Sequence, residues 1–219
     1  MIEGPQSLSK ELPLIEAGLQ VVITDNQTPY RTRKVRFLNG AHTADVLAAS
    51  LGGLTFVDEM MNDPEFGKMV CKAINDEIFH TVQLPDEEKR FFADSVIERF
   101  KNPFAQHRLL SISLNSVSKW KVRVMPSLLD YVQFKGKLPE VLAFSLAALI
   151  RFYLLELKDG VAQGAVDGRI YPVDDSEDVL KFFAAATAQF KTDGDTAKLV
   201  SSVLGNKSFW DMNLNTVPG

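Results

Sequence analysis

Residues 141–155 read VLAFSLAALIRFYLL, the most apolar stretch of the chain. Pro139 and Glu140 precede it, an order that favours the start of a helix. Arg151 interrupts the stretch, which therefore falls short of the roughly 20 apolar residues that a membrane-spanning helix needs. We expect a helix from Pro139 to about Lys158, buried on most sides in the core of a soluble domain.

Helix signals extend outward from this stretch in both directions. Apolar residues at helical spacing, together with capping residues and glycine stops, predict further helices at 40–53, 63–78, 85–100, 104–132, 174–190 and 195–204. Pro126 must kink or divide the fourth of these, because proline removes a backbone donor and clashes one turn back. The chain is therefore predicted to be mainly helical.

Two regions lack helical periodicity. Residues 19–25 read LQVVITD, and this β-branched run predicts a short strand near the N-terminus. The glycines at 160, 164 and 168 follow a helix and predict a loop. With no internal repeat or low-complexity linker, we expect residues 1–219 to form one mainly α domain with a short extended N-terminal section.

The composition is that of an ordinary globular protein. Hydrophobic residues make up 46% and charged residues 24%, which excludes wholesale disorder and collagen-like structure. The formal net charge of −4 argues against a protein that binds nucleic acid. The single cysteine, Cys71, allows no intramolecular disulfide. Together with the absence of an N-terminal targeting signal, it predicts a cytoplasmic protein without a membrane partner.

Residues 30–42, YRTRKVRFLNGAH, concentrate basic side chains in a chain that is acidic overall. If this segment is an α-helix, Lys34, Asn39 and His42 fall within an arc of about 140°. A lysine can exchange a proton with an alcohol, while an amide and an imidazole can stabilise charge that develops on the same oxygen. The same pattern is also compatible with a solvated basic turn followed by a helix with a core histidine.

KVRFLNGAH resembles the K-x4-N-x2-H signature of the mannitol dehydrogenase family, the long-chain polyol and uronate dehydrogenases. The resemblance continues through ERFKNPF at 98–104, LNSVSKWKVRVMP at 114–126 and FWDMNLNTVPG at 209–219. It implies the multi-helical C-terminal domain of an NAD-dependent oxidoreductase that acts on a secondary alcohol without a metal. It also implies that Lys34 is the acid/base and that Asn39 and His42 polarise the reacting oxygen.

By position in the family's second polar segment, the resemblance points to Asn115 and Lys119 as substrate-binding residues. Mannitol-type members tend to have an arginine and a histidine just ahead of that pair. This sequence has Ser111 and Leu114 there, which puts polyol-type contacts in doubt. A hexonate or its keto acid is the substrate that we expect.

Arg31 and Arg33 would suit a hexonate, because a guanidinium pairs well with a carboxylate. Equally, they are compatible with surface charge, or with a positive field that helps the neighbouring lysine to lose its proton. No metal site is predicted, because the three histidines stand far apart in the sequence and none has a ligand spacing to Cys71. For His107 we expect a packing or helix-start role rather than one at the edge of a cleft.

No G-x-G-x-x-G turn occurs in the sequence, although the family couples its helical domain to a preceding nucleotide-binding domain. We therefore expect that domain, absent from these 219 residues, to be this chain's partner and to bind most of the NAD. The chain alone is expected to bind NAD weakly or not at all and to be inactive.

Three alternatives stay open. The first is another uronate reductase or a mannitol dehydrogenase of the same family. The second is a non-catalytic helical interaction module that uses the Arg-rich segment as a contact surface. It predicts that Lys34, Asn39 and His42 point apart or lie on an exposed convex face. The third, nucleic-acid binding through YRTRKVR, requires salt-dependent binding to DNA or RNA.

Overall fold

A computed structural model describes residues 1–218, most of which are helical. Over this range the α-helices are α1 Leu8–Glu11, α2 Thr28–Lys34, α3 Ala41–Leu51, α4 Val57–Asn62, α5 Phe66–Lys72, α6 Asp86–Phe100, α7 Leu109–Ile112, α8 Ser116–Arg123, α9 Met125–Lys135, α10 Glu140–Phe152, α11 Glu177–Asp193, α12 Thr196–Leu204 and α13 Lys207–Trp210. Two π-helical segments continue α2 and α5, at Val35–Gly40 and Ala73–Ile78. Short 3-10 helices lie at Phe79–Thr81 and Leu214–Thr216. The predicted mainly α fold is confirmed.

The extended N-terminal section consists of two very short strands. β1 (Ile2–Glu3) pairs in parallel with β2 (Ile23–Thr24), so the strand predicted at 19–25 is present but is only two residues long. Gln6 Nε2 donates to the carbonyl of Ile23 at 2.9 Å and helps to hold the pair. Because only two residues of each strand pair, this short sheet contributes little to the stability of the mainly helical fold.

Two predictions around the apolar helix are wrong. α10 ends at Phe152 rather than near Lys158, and the glycine-containing region after it is not a loop. Instead, β3 (Leu155–Lys158), β4 (Val161–Val166) and β5 (Arg169–Pro172) form an antiparallel sheet in the order β3-β4-β5.

The hairpin turns of this sheet explain the error. Asp159-Gly160 and Asp167-Gly168 occupy the two turns, and all four residues have φ between 48° and 78°. Such Asp-Gly pairs are a strong short-range hairpin signal, because both positions tolerate positive φ. A helix cannot continue through such backbone, and the freed peptide groups pair across the strands instead.

The single helix predicted at 104–132 is also wrong in its extent. No helix occupies residues 101–108, and α7, α8 and α9 follow separately. Asn115, at φ 53°, separates α7 from α8 in the left-handed conformation, which an asparagine adopts at moderate cost. The division expected at Pro126 is confirmed, since α8 ends at Arg123 and proline stands in the first turn of α9.

The centre of the core is the packing of α10 against α3. The Ala-rich sequence of α3 includes Ala41 and Ala49, both fully buried, which lets the helices approach closely against Leu142 and Leu149, also fully buried. Burial of such side chains contributes about 25 cal/mol per Å² of apolar surface. No helix between residues 1 and 218 is both long and apolar enough to span a membrane.

Two carboxyl groups lie inside this core. Glu77, 2% exposed, accepts hydrogen bonds from the backbone N–H groups of Val141 at 2.8 Å and Leu142 at 2.9 Å, the first turn of α10. Asp45, on α3, is fully buried, and neither of its carboxyl oxygens has a partner in residues 1–218. Burial and then the nearby Glu77 carboxylate raise the pKa of Asp45 well above its ordinary value.

Candidate functional site

The helix that carries the basic segment changes its winding at the residues of interest. α2 ends at Lys34, the π-helical segment Val35–Gly40 follows, and α3 begins at Ala41. A π-helix makes i→i+5 hydrogen bonds, and Lys34 and Asn39 are five residues apart. In such a wider turn, positions five residues apart lie closer to one face than in an α-helix, which would separate them by about 140°. Such single-turn π segments are rare and frequently occur at functional sites.

Gly40 is required at the end of this segment by a close approach to α8. A Cβ placed on Gly40 would lie 3.0 Å from the carbonyl oxygen of Arg123 and 3.4 Å from that of Val35. Without a side chain, the π segment packs directly on the backbone of α8. This packing also brings the Arg123 guanidinium within 3.4 Å of the Thr43 hydroxyl on α3.

A cavity of about 390 Å³ opens beside the π segment. Its walls come from the π segment, α3, α4 and the end of α6 with the turn that follows. The lining residues are Leu38, Asn39, His42, Val57, Asp58, Arg99, Phe100, Asn102, Ala105 and His107. Asn39 and His42, predicted to act on one oxygen, thus share one concave site.

His42 is held in place by two aromatic rings. Its imidazole stacks on Phe100, with ring centres 3.9 Å apart and an interplanar angle of 9°, and meets His107 edge-on at 5.5 Å. Burial lowers the pKa of His42 to about 3, with further lowering by His107, Arg123, Arg99 and Lys34 in decreasing order. At neutral pH His42 is therefore an uncharged imidazole with one N–H donor and one acceptor nitrogen.

Three polar side chains of the cavity are free to bind a ligand, whereas Asn102 Oδ1 accepts from the backbone N–H of Phe104 at 3.0 Å. Within residues 1–218, no protein group forms a hydrogen bond with the side chains of Asn39, His42 or His107. Lys34 is exposed and lies outside the lining, but its charge acts on His42. Among the described residues its ammonium has no carboxylate within ion-pair distance. The structure thus places two of the three predicted catalytic side chains in the cavity and leaves the third, Lys34, exposed outside its lining.

The two arginines predicted to bind a carboxylate do not line this cavity. Arg33 Nη1 lies 3.5 Å from Glu88, and its guanidinium sits over the rings of Phe92 at 4.4 Å and Tyr30 at 5.3 Å. Arg31 is exposed on α2. Carboxylate binding by Arg31 or Arg33 stays a prediction.

Asn115 and Lys119 belong to α8 and its N-terminal cap, outside the cavity lining. The backbone N–H of Asn115 donates to Asp174 O at 2.9 Å, and Lys119 Nζ donates to Ile112 O at 3.0 Å. Burial and then Arg123 lower the pKa of Lys119, which Asp175 partly opposes. Arg123 links this segment to the cavity, because its charge acts on both Lys119 and His42. The substrate-binding role of both residues stays a prediction.

The sequence did not predict the wall of the cavity that Arg99, Asn102 and His107 form. His107 was expected to have a packing or helix-start role, and the structure places it on this wall with Arg99 and Asn102. The segment ERFKNPFAQH does carry these polar residues, but nothing in the sequence shows that it folds back onto His42. Between residues 1 and 218, no group of three or more His, Cys, Asp or Glu side chains is placed to hold a metal ion.

The chain is similar to proteins of one known family. Residues 26–219 match the family model described as the mannitol dehydrogenase C-terminal domain. Altronate oxidoreductases of Yersinia pestis, Pectobacterium carotovorum and Bacillus subtilis are 42%, 44% and 42% identical to the chain over its whole length. The chain spans only 44%, 44% and 42% of these relatives.

Two solved structures share the fold. A mannitol 2-dehydrogenase of Pseudomonas fluorescens, in a ternary complex with NAD and D-mannitol, superposes with a TM-score of 0.71 at 22% identity, covering 89% of this chain and 36% of its own. A substrate-free D-sorbitol dehydrogenase gives 0.65 at 20% identity, covering 94% and 43%. At these identities the likeness establishes the architecture alone.

Proposed function

The chain belongs to the mannitol dehydrogenase family, as its C-terminal domain, and we propose that it is the substrate-binding and catalytic domain of an NAD-dependent altronate oxidoreductase, also called tagaturonate reductase. The whole enzyme would interconvert D-altronate, a hexonate, and its keto acid D-tagaturonate. The observation that carries this proposal is the shared cavity of Asn39 and His42, whose polar groups have no protein partner, in a chain 42–44% identical to relatives of that name.

The proposed chemistry divides proton transfer from charge stabilisation. During reduction of a ketone, negative charge develops on the carbonyl oxygen. The amide of Asn39 and the N–H of uncharged His42 donate hydrogen bonds to that oxygen. Because His42 is uncharged at neutral pH, the transferred proton comes from the ammonium of Lys34. Oxidation runs in reverse, with the neutral amine of Lys34 accepting the alcohol proton.

The sheets of residues 1–218 differ from those of a dinucleotide-binding fold. The parallel strand pair of the described chain is two residues long, the other sheet is antiparallel, and no Gly-rich turn joins a strand to a helix. In the proposal, an N-terminal nucleotide-binding domain of the full enzyme holds most of the nicotinamide cofactor, which supplies or accepts the hydride. The chain covers less than half of the length of its relatives, which supports that arrangement.

Lys34→Ala in the complete enzyme tests the assigned roles. Loss of the acid/base should lower turnover by about 10²–10⁴-fold while NAD affinity stays unchanged, measured by steady-state kinetics and calorimetry. Lys68→Ala, at an exposed lysine outside the site, is the matched control. Near-wild-type turnover of Lys34→Ala rejects the acid/base role.

Two close alternatives in the same family are fructuronate reductase and mannitol dehydrogenase. Kinetics of the complete enzyme with altronate, mannonate and mannitol distinguish them, and the highest kcat/KM identifies the substrate. A non-catalytic interaction module is the alternative of another class. The concave placement of Asn39 and His42 favours an enzyme, and no turnover of any of the three compounds would favour the module.

A further inference from the structure

The cavity beside His42 lies in a positive electrostatic environment, although the formal net charge of the chain is −4. Three cationic side chains, Arg123, Arg99 and Lys34, act on His42, and among the described residues they outnumber the carboxylate of the lining, that of Asp58. A concave site surrounded by cations raises the local concentration of anions and favours their binding. The charge pattern therefore indicates an anionic ligand.

Arg99 carries the permanent positive charge among the lining residues. It stands in the last turn of α6, where the helix dipole favours a cation. The next residue, Phe100, stacks under His42 and thereby fixes the end of α6 against the cavity. Arg99 is exposed, and within residues 1–218 no carboxylate lies within 4.0 Å of its guanidinium. Its five N–H donors are therefore available to a ligand.

The arginines of the basic segment are placed less well for this role. Arg33 is committed to Glu88 and to the faces of two aromatic rings, and the exposed Arg31 does not reach the lining. An anion in the cavity therefore meets Arg99 before it meets either of them.

We propose that Arg99, with His107 of the same cavity lining, binds the carboxylate of a sugar acid while Asn39 and His42 hold the reacting oxygen. The inference rests on the proposed function, which places that oxygen at Asn39 and His42. The cavity of about 390 Å³ lies within the range of about 300–1,000 Å³ usual for small-molecule sites. Half-buried Asp58 also lines the cavity. Its carboxylate supplies acceptors for the sugar hydroxyls and repels the carboxylate of the ligand, which therefore binds at Arg99 instead.

The three histidines of the chain provide a readout that needs neither NAD nor turnover. His42 and His107 line the cavity, whereas His80 is exposed beside a different cavity and serves as an internal control. The Cε1–H signals of the 219-residue chain are followed by NMR at pH 7 during titration with D-gluconate and, separately, with the uncharged hexitol D-mannitol. We expect gluconate to shift the His42 and His107 signals and to bind at least about tenfold more tightly than mannitol, the lower range for charge-assisted hydrogen bonds.

Arg99→Gln should bring the gluconate and mannitol affinities to within about twofold of each other, while Arg31→Gln and Arg33→Gln leave the preference intact. Thermal unfolding of each variant confirms that it is folded. The proposal is overturned if gluconate does not shift the two signals, if the preference survives Arg99→Gln, or if Arg31→Gln or Arg33→Gln abolishes it.

Kinetics of the complete enzyme separate this inference from the proposed function. Arg99→Gln should raise KM for altronate at least about tenfold and change kcat much less, since it acts on binding of a remote group. If the complete enzyme turns over none of altronate, mannonate and mannitol, the proposed function fails while the gluconate preference can still stand. If the preference is absent and the complete enzyme turns over altronate, only the carboxylate subsite is rejected.

Discussion

The two π-helical segments use the same backbone distortion for opposite purposes. Val35–Gly40 borders an open cavity, and the side chain of its Asn39 has no partner within residues 1–218. Ala73–Ile78 faces the core, and its Glu77 is satisfied by two backbone N–H groups at the start of α10. Widening a helix by one residue re-aims a polar side chain. Whether that residue serves a ligand or the fold depends on what the rest of the molecule places opposite it.

The two segments should therefore respond differently to substitution. Substitution of Asn39 should affect turnover and leave stability almost unchanged, because its side chain has no hydrogen-bond partner within residues 1–218 to lose. Changes at Glu77 should affect stability first, because two buried donors would lose their acceptor.

Substitution of the polar groups beside the cavity should have the largest effect. Asn39→Ala or His42→Ala in the complete enzyme should lower kcat by about 10²–10³-fold, the usual effect of removing one donor to a developing oxyanion. Circular dichroism melts should show stability near that of the wild type for Asn39→Ala, whereas His42→Ala also loses the stacking on Phe100 and should melt at a lower temperature. An Asn39→Ala variant that melts much earlier, with kcat restored at low temperature, would show that the first segment is structural and would contradict the expected difference.

Glu77→Ala should destabilise the fold by about 3 kcal/mol, because the N–H groups of Val141 and Leu142 stay buried without an acceptor. Urea unfolding measures the change. Glu77→Gln keeps one acceptor oxygen and should lose less, while Glu65→Ala, at an exposed residue, is the surface control. If Glu77→Ala is as stable as Glu65→Ala, the hydrogen bonds of Glu77 do not stabilise the fold.

Gly40→Ala should destabilise by about 1–3 kcal/mol, because a methyl group would press on the backbone oxygen of Arg123. The sign is informative, since Gly→Ala at an ordinary helical position stabilises by about 0.4–1 kcal/mol. Thr32→Ala, on the neighbouring α2, controls for side-chain changes in this helix. A gain of stability in Gly40→Ala would mean that α8 does not depend on the close approach.

The smallest effect concerns the buried Asp45. Because its pKa is raised in the folded chain, the unfolded chain releases this proton first as the pH rises. The free energy of unfolding should then fall with rising pH above the ordinary aspartate range, by at most about 1.4 kcal/mol per pH unit. Asp45→Asn should remove that component, whereas Asp94→Asn, at an exposed residue, should not. Equal slopes for the wild type and Asp45→Asn contradict the prediction.

Much of the fold was predictable because the signals are local. Asp195 caps α12 through Lys198 N at 2.9 Å, and Asp63 accepts from the N–H of Phe66, the first residue of α5, at 2.9 Å. Such side chains ahead of helical periodicity are a local signal. The antiparallel sheet could also have been predicted, because the two Asp-Gly pairs at its turns are a strong hairpin signal. The π-helical winding was not predictable, since apolar spacing alone does not distinguish it from an α-helix.

The site also has a part that the sequence predicts and a part that depends on tertiary packing. The chemical character of Lys34, Asn39 and His42 follows from their residue types and close spacing, and so does their assignment to one helix. The sequence itself determined the mainly α class, the signature K-x4-N-x2-H and the local concentration of basic residues, because these depend on neighbours within a few turns. Only the tertiary structure decided that Phe100, Arg99 and His107, about 60 residues away, complete the cavity. The burial that keeps His42 uncharged and the space left open for a ligand arise from the packing of distant helices, which no local pattern records.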